Sequence, residues 1–218
     1  TDLRNSDRDP LTGLLNRRSF YNTVHEHLVA KQEVNVVVNV TMVDLDKFKR
    51  LNDSQGHAAG DAALAGVATV LAECSGPGAV LGRLGGEEFV VADLGAASRH
   101  VSIAERIRAG IASLPFSITG SVGVCSATIP AGIEVEHPEF LERLIHVADD
   151  AMYLAKRSGG DRVDAGLLRQ RGRDALQSAV GLARHQAAER ARRCGRLRAG
   201  RGRDVGVVDH GGLRGLLV

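Results

Sequence analysis

Two groups of acidic residues carry the chemistry this chain could do. Asp44 and Asp46 close an apolar, β-branched run, Val36-Val37-Val38 through Met42-Val43, and Glu87 and Glu88 follow Gly85-Gly86 between two short apolar runs. A carboxylate at a strand end is most often a solvated turn residue. Two such clusters beside a glycine pair read differently, because neighbouring carboxylates repel unless something cationic lies between them. Oxygen-only donors suit Mg²⁺, and Mg²⁺ in a cleft usually arrives with a phosphate. The chain reads first as an enzyme acting on a nucleotide.

The elements that must position these acids follow from periodicity and punctuation. Phe20, Val24 and Leu28 share one face of a predicted helix over 16–32. Residues 34–43 read as a buried strand, 59–74 as an Ala/Leu/Val-rich helix, and 80–84 with 89–94 as a hairpin around Gly85-Gly86. Those glycines allow positive φ and close backbone approach, so a substrate can lie against the hairpin tip. A helix over 98–114 ends at Pro115, a strand follows over 116–126, and a helix over 138–157 is closed by Gly159-Gly160. This order suits an α/β domain in which helices pack on a sheet containing antiparallel strands.

Composition sets limits. A chain of 218 residues with 44% hydrophobic content can bury a sizeable core, and 3% aromatics make that core aliphatic. Residues 1–163 hold 16 Lys and Arg against 21 Asp and Glu, whereas residues 164–218 hold 12 Arg against 5 acids. The Arg/Gly/Ala-rich segment 164–218 is expected to be a disordered basic tail. Without interleaved aromatics it does not read as a specific nucleic-acid arm. Cys74, Cys125 and Cys194 are odd in number and lack C-x-x-C spacing, which fits a reducing cytoplasm and argues against a disulfide framework or zinc site. The longest apolar stretch, 34–43, is too short to span a bilayer.

The segment from Asp44-Leu45-Asp46-Lys47-Phe48-Lys49 through Asn52-Asp53, Gly56-His57 and Gly60-Asp61 resembles the substrate segment of the GGDEF diguanylate cyclases, D-x-D-x-F-K-x-x-N-D-x-x-G-H-x-x-G-D, at every fixed position. Gly85 to Phe89 resembles the family signature in its GGEEF form. Asp9-Pro10-Leu11-Thr12-Gly13-Leu14-Leu15-Asn16-Arg17-Arg18 is similar to the opening motif, and Ala148-Asp149-Asp150-Ala151-Met152-Tyr153-Leu154-Ala155-Lys156 with Gly159 to the closing helix. The resemblance implies a palm-like, ferredoxin-related fold over 9–163 and a remnant of an upstream signalling helix at 1–8, with the sensor domain missing. It also implies condensation of two GTP into cyclic di-GMP across a homodimer, with Mg²⁺ or Mn²⁺.

The resemblance also assigns roles. Asp44, the Leu45 carbonyl and Glu87 would hold metal; Glu87 would accept the proton, supported by Glu88. Phe48 and Lys49 open a turn whose N–H groups would hold phosphates, with the Lys49 ammonium offsetting charge on the pyrophosphate. Lys156 resembles a second phosphate lysine, and Gly85 and Gly86 line the substrate. Asn52 and Asp61 match the donor and acceptor pattern of guanine rather than adenine, and His57 resembles a further substrate contact. His25, His27, His100, His137 and His146 read as surface or packing residues.

Two departures stand out. The basic partner of Lys156 falls at Gly160, so that contact is missing or comes from Arg157 or Arg162. The R-x-x-D of product-inhibited members falls at Gly76 and Ala79, which removes feedback through that surface. The competing readings are a GTP-binding regulatory module without turnover and a palm enzyme acting on one nucleotide.

Overall fold

The computed structural model describes residues 7–95, 99–132 and 139–166. Residues 1–6 of the expected upstream remnant and 167–218 of the expected tail lie outside the described residues, as does His137. The elements run β1 (Leu15–Asn16), α1 (Arg17–Val29), β2 (Val36–Asp46), α2 (Phe48–Gln55), α3 (His57–Cys74), β3 (Val80–Gly85), β4 (Glu88–Leu94), α4 (His100–Ala112), β5 (Thr119–Ile129), α5 (Glu139–Arg157) and β6 (Arg162–Ala165).

The strands form one mixed sheet in the order β1-β3-β4-β2-β5-β6. β2 runs antiparallel to both β4 and β5, while β1 pairs parallel with β3 and β6 parallel with β5. The β-branched composition of β2 suits this central place, where both faces are covered.

Strand alternation decides what meets each face. Val36, Val38, Val40 and Met42 point to the layer made by α1 and α5, packing with Phe20, Val24, Leu144, Ala148 and Met152. Val43 and Leu45 point to the layer of α2, α3 and α4, packing with Phe48, Leu51, Val67, Leu71, Ile107 and Ile111. Close approach of α5 depends on Gly123 of β5, where a Cβ would overlap the Ala148 carbonyl and the Met152 backbone.

The differences from the expected elements are local. α1 stops at Val29, with Asn16 capping it through a 3.0 Å bond from the Ser19 N–H. The expected turn at Phe48-Lys49 is the start of a helix, α2, entered through Lys47 in the left-handed region (φ 57°) and ended by Gly56 (φ 84°). The hairpin turn is displaced by one residue. Gly85 belongs to β3 and pairs with Glu88, leaving Gly86 and Glu87 at the tip. Neither Gly85 nor Gly86 uses the positive φ that glycine allows. The register shift between Arg83 and Gly85 supplies the bend instead.

Candidate active site

Asp44 lies near the end of β2, opposite Glu88 on β4 and Ser121 on β5, and is 9% exposed. The next residue, Leu45, donates its backbone N–H to the Glu87 carbonyl at 3.4 Å. That contact brings the hairpin tip to the end of β2. Asp44, Leu45, Glu87 and Glu88 therefore gather in one place, as their motifs suggest. Space above the tip is open: a Cβ on Gly86 would meet nothing within 4 Å, and one on Gly85 only Glu88 Oε2 at 3.9 Å.

The tip is braced from behind by residues that sequence reasoning left without a role. Arg83 donates from Nε and Nη2 to the Gly86 carbonyl (3.0 and 2.6 Å) and from Nη1 to Asp9 Oδ1 at 2.9 Å. Asp9 also accepts from the N–H and hydroxyl of Thr12 at 2.8 and 2.6 Å. Burial would raise the Asp9 pKa, but the bonds from Thr12 and Arg83 outweigh it and hold the carboxyl below its ordinary value. The opening motif thus anchors the turn that carries Glu87.

Lys156, in the last turn of α5, donates from Nζ to Asp44 Oδ1 at 2.7 Å. Burial is the main cause that raises the Asp44 pKa; the charges of Asp46 and Asp149 add to it, and Lys156 offsets only part. Glu87 is raised for the same reasons, by burial and then by the charges of Asp44 and Glu88. Burial pushes Lys156 down, yet its bond to Asp44 and the charges of Asp44, Glu87 and Asp46 outweigh that and raise it. Lys156 stays protonated amid acids that one ammonium does not neutralise.

Asp46, two residues on and on the same face of β2, is occupied by the fold. Its carboxylate accepts from Ser121 Oγ at 2.6 Å, Thr119 Oγ1 at 2.7 Å and the Asp161 N–H at 2.8 Å. The D-x-D spacing could have placed Asp46 beside Asp44, and the seven-residue step from Asp149 to Lys156 could have placed Asp149 there too.

This clamp explains Gly160. With φ 76°, a Cβ at Gly160 would lie 2.7 Å from the Asp46 carboxyl carbon. The expected substitutes are engaged elsewhere, Arg157 over the Tyr153 ring at 5.9 Å and Arg162 with Asp164 at 3.1 Å.

The remaining predicted residues lie along α2 and α3. Phe48 is buried, and Lys49 is exposed in the first turn of α2. The first helical bonds there are made by Arg50 and Leu51 back to the Lys47 carbonyl (2.8 and 3.3 Å), so the Phe48 and Lys49 N–H groups precede the ladder. Asn52 sits against α3 at Gly60, where a Cβ would overlap its amide, and Asp61 follows immediately. His57 is exposed at the start of α3.

Among the described residues no three acidic, histidine or cysteine side chains converge as a ready-made metal cage. The donors fit Mg²⁺ or Mn²⁺ in another way. Mg²⁺ is commonly held by one or two carboxylates plus substrate phosphates and water, and Asp44 with Glu87 offers two hard, closely placed carboxylates. Among the described residues no helix is long and apolar enough to cross a membrane.

Comparison with known proteins agrees with this fold. The chain is 36% identical over 161 residues to the diguanylate cyclase DgcM of Escherichia coli, a match covering 71% of this chain and 37% of that protein. It therefore spans little more than a third of that relative. The coiled coil and GGDEF domain of DgcB from Caulobacter crescentus, solved in complex with c-di-GMP, superposes with a TM-score of 0.64 at 28% identity, covering 75% of this chain and 87% of that one. The active GGEEF domain of a diguanylate cyclase from Vibrio cholerae superposes with a TM-score of 0.59 at 26% identity, covering 71% and 98%. The family description "diguanylate cyclase, GGDEF domain" matches residues 6–162. With its palm-like sheet and the acids gathered at the end of β2, the chain belongs to the GGDEF family.

Proposed function

We propose that this domain condenses two GTP into cyclic di-GMP and two pyrophosphates, each of two facing subunits binding one GTP. The observation that carries the reading is the meeting of Asp44, Glu87 and Glu88 under an open turn, with Lys156 reaching the same cluster. Asp44, Glu87 and the Leu45 carbonyl would hold Mg²⁺ or Mn²⁺, which when bound lowers the pKa of a coordinated hydroxyl and offsets phosphate charge.

The chain's own residues supply the rest. The Phe48 and Lys49 N–H groups hold the terminal phosphates, helped by the partial positive charge of the α2 N-terminus. Asn52 donates from its amide to the O6/N7 edge of guanine, the Asp61 carboxylate accepts from N1–H and N2–H₂, and His57 adds a contact from the start of α3. Glu87 takes the proton of the 3′-hydroxyl, supported by Glu88. The new bond joins that oxygen to the α-phosphorus of the facing GTP; the α–β bridge breaks and pyrophosphate leaves with its charge offset by Lys49 and Lys156. Because one site holds one GTP, two copies must meet, and the rate per subunit should rise with protein concentration. Gly76 and Ala79 leave no charged pair for product feedback, so cyclic di-GMP should inhibit only by competing at the active site.

The test is to incubate concentrated protein with GTP and Mg²⁺ and identify the product by mass. Cyclic di-GMP is expected. The absence of the expected basic residue at Gly160 favours a second reading, a GTP-binding regulatory module, and Mg²⁺-dependent GTP binding without product would establish it instead.

A further inference from the structure

Lys156 does more in this structure than wait for a phosphate. Its ammonium lies 2.7 Å from Asp44 Oδ1, on one of the two carboxylates assigned above to metal. The charges of Asp44, Asp46 and Glu87 act on it, and Glu88 and Asp149 act on the same carboxyl pair. Asp44 is buried, and a buried carboxylate without a partner is strongly destabilising. Lys156 is the cation that answers this charge in the absence of metal.

The two cations compete for this carboxylate. A divalent ion bound to Asp44 would repel an ammonium on the same carboxylate at a few ångströms. The lysine has somewhere to go, because its side chain is 39% exposed while that of Asp44 is 12% exposed. A flexible four-carbon stem with a well-hydrated head can leave toward solvent without crossing the core.

We propose that Lys156 is the resident counter-ion of the metal site, displaced from Asp44 by the entering divalent cation and thereby released to the phosphates of the nucleotide. The proposal rests on the metal and GTP reading given above. It makes metal and triphosphate binding mutually reinforcing: metal frees the lysine, and a phosphate that captures the lysine vacates Asp44 for metal. A lysine that served phosphate alone would leave metal affinity unaffected. A lysine that served only the fold would lower stability and do nothing selective to either ligand.

The experiment measures Mn²⁺ binding to the full chain without nucleotide, by electron paramagnetic resonance of the free ion. The proteins are the parent, Lys156→Met, Lys156→Gln, Arg157→Met and Glu87→Gln. Removing the competing ammonium should tighten Mn²⁺ binding by about tenfold in both Lys156 variants. The same variants should bind GTP with Mn²⁺ more weakly, and without metal they should unfold at lower denaturant, a loss that Mn²⁺ reverses. Lys156→Gln covers the case in which the Met variant folds poorly. Arg157→Met removes the same charge one residue along, from a side chain held over Tyr153, and should change Mn²⁺ binding by less than about twofold.

Unchanged or weaker Mn²⁺ binding in the Lys156 variants overturns the exchange, and so does an equal gain in Arg157→Met, which would reduce it to a general field. If the parent binds no Mn²⁺, or binds it independently of Glu87, the metal reading itself fails, and the exchange falls with it.

Discussion

β2 carries two polar clusters, one on each face, and they are built on opposite terms. On the α4 face, Thr41 and Asn39 meet His100 and Ser126 in a closed chain. Ser126 Oγ donates to Asn39 Oδ1 (2.7 Å), so it accepts from His100 Nδ1 (2.9 Å), and the other ring nitrogen accepts from Thr41 Oγ1 at 2.7 Å. Asn39 completes the chain by donating to the Gly95 carbonyl at 3.0 Å. On the α5 face, Asp44 and Glu87 share the Lys156 ammonium, while Glu88 and Asp149 add further negative charge to that pair. The side chains of the His100 chain are each hydrogen-bonded, whereas the acids proposed for chemistry are left short of cationic partners, so that a ligand can complete them.

The largest effect expected from disturbing this contrast is on chemistry. Glu87→Gln should lower kcat by on the order of a thousandfold while the unfolding midpoint moves little. A loss of stability as large as the loss of rate would place Glu87 in the fold instead.

The His100 cluster should behave in the opposite way. Burial lowers the His100 pKa to about 4, although Asp93 opposes the shift. The unfolded chain therefore takes the proton first on acidification. Stability from this group is complete above about pH 6.5 and is lost as pH falls toward 4, by about 3 kcal/mol. Denaturant titrations across that range should show the loss, with His100→Gln flattening the slope while cyclisation at neutral pH is retained. An unchanged slope would remove His100 as the titrating group.

Gly160→Arg tests whether the departure from the family pattern is a simple gap. With φ 76° and the Asp46 carboxyl over the turn, the substitution should cost about 2 kcal/mol of stability and fail to improve GTP binding. Tighter GTP binding at unchanged stability would show that the Asp46 clamp yields. The smallest effect is expected from Gly60→Ala, which displaces Asn52. It should raise the KM for GTP by about tenfold, with little change in the metal requirement.

Much of the α5 face was legible in the sequence because motif and alternation coincide there. The β-branched run names β2, D-x-D puts two acids on one face, and the GGEEF turn supplies the next pair. What stayed hidden depends on contacts across long stretches of chain, such as Lys156 on Asp44, Asp161 on Asp46 and Arg83 on Asp9. No local period records those. α2 leaves no periodic signal because it is short, largely polar and entered through a left-handed lysine, while β1 and β6 are edge strands of two and four residues. The glycine pair suggests a turn at Gly85-Gly86, and only the pairing of Gly85 with Glu88 sets the tip at Gly86-Glu87. The sequence leaves His100 as either a surface or a packing residue; it is buried, and spacing does not name its partners on β2 and β5.

The most direct test of the contrast is Asp44→Asn, measured for unfolding free energy and for cyclic di-GMP formation in one preparation. Burial and neighbouring acids raise the Asp44 pKa, so its ionised form weakens the fold at neutral pH. Removing the charge should leave stability equal or higher while product formation is lost, the pattern of a residue kept for function. Reduced stability with product formation retained would contradict the account and make Asp44 a structural partner of Lys156.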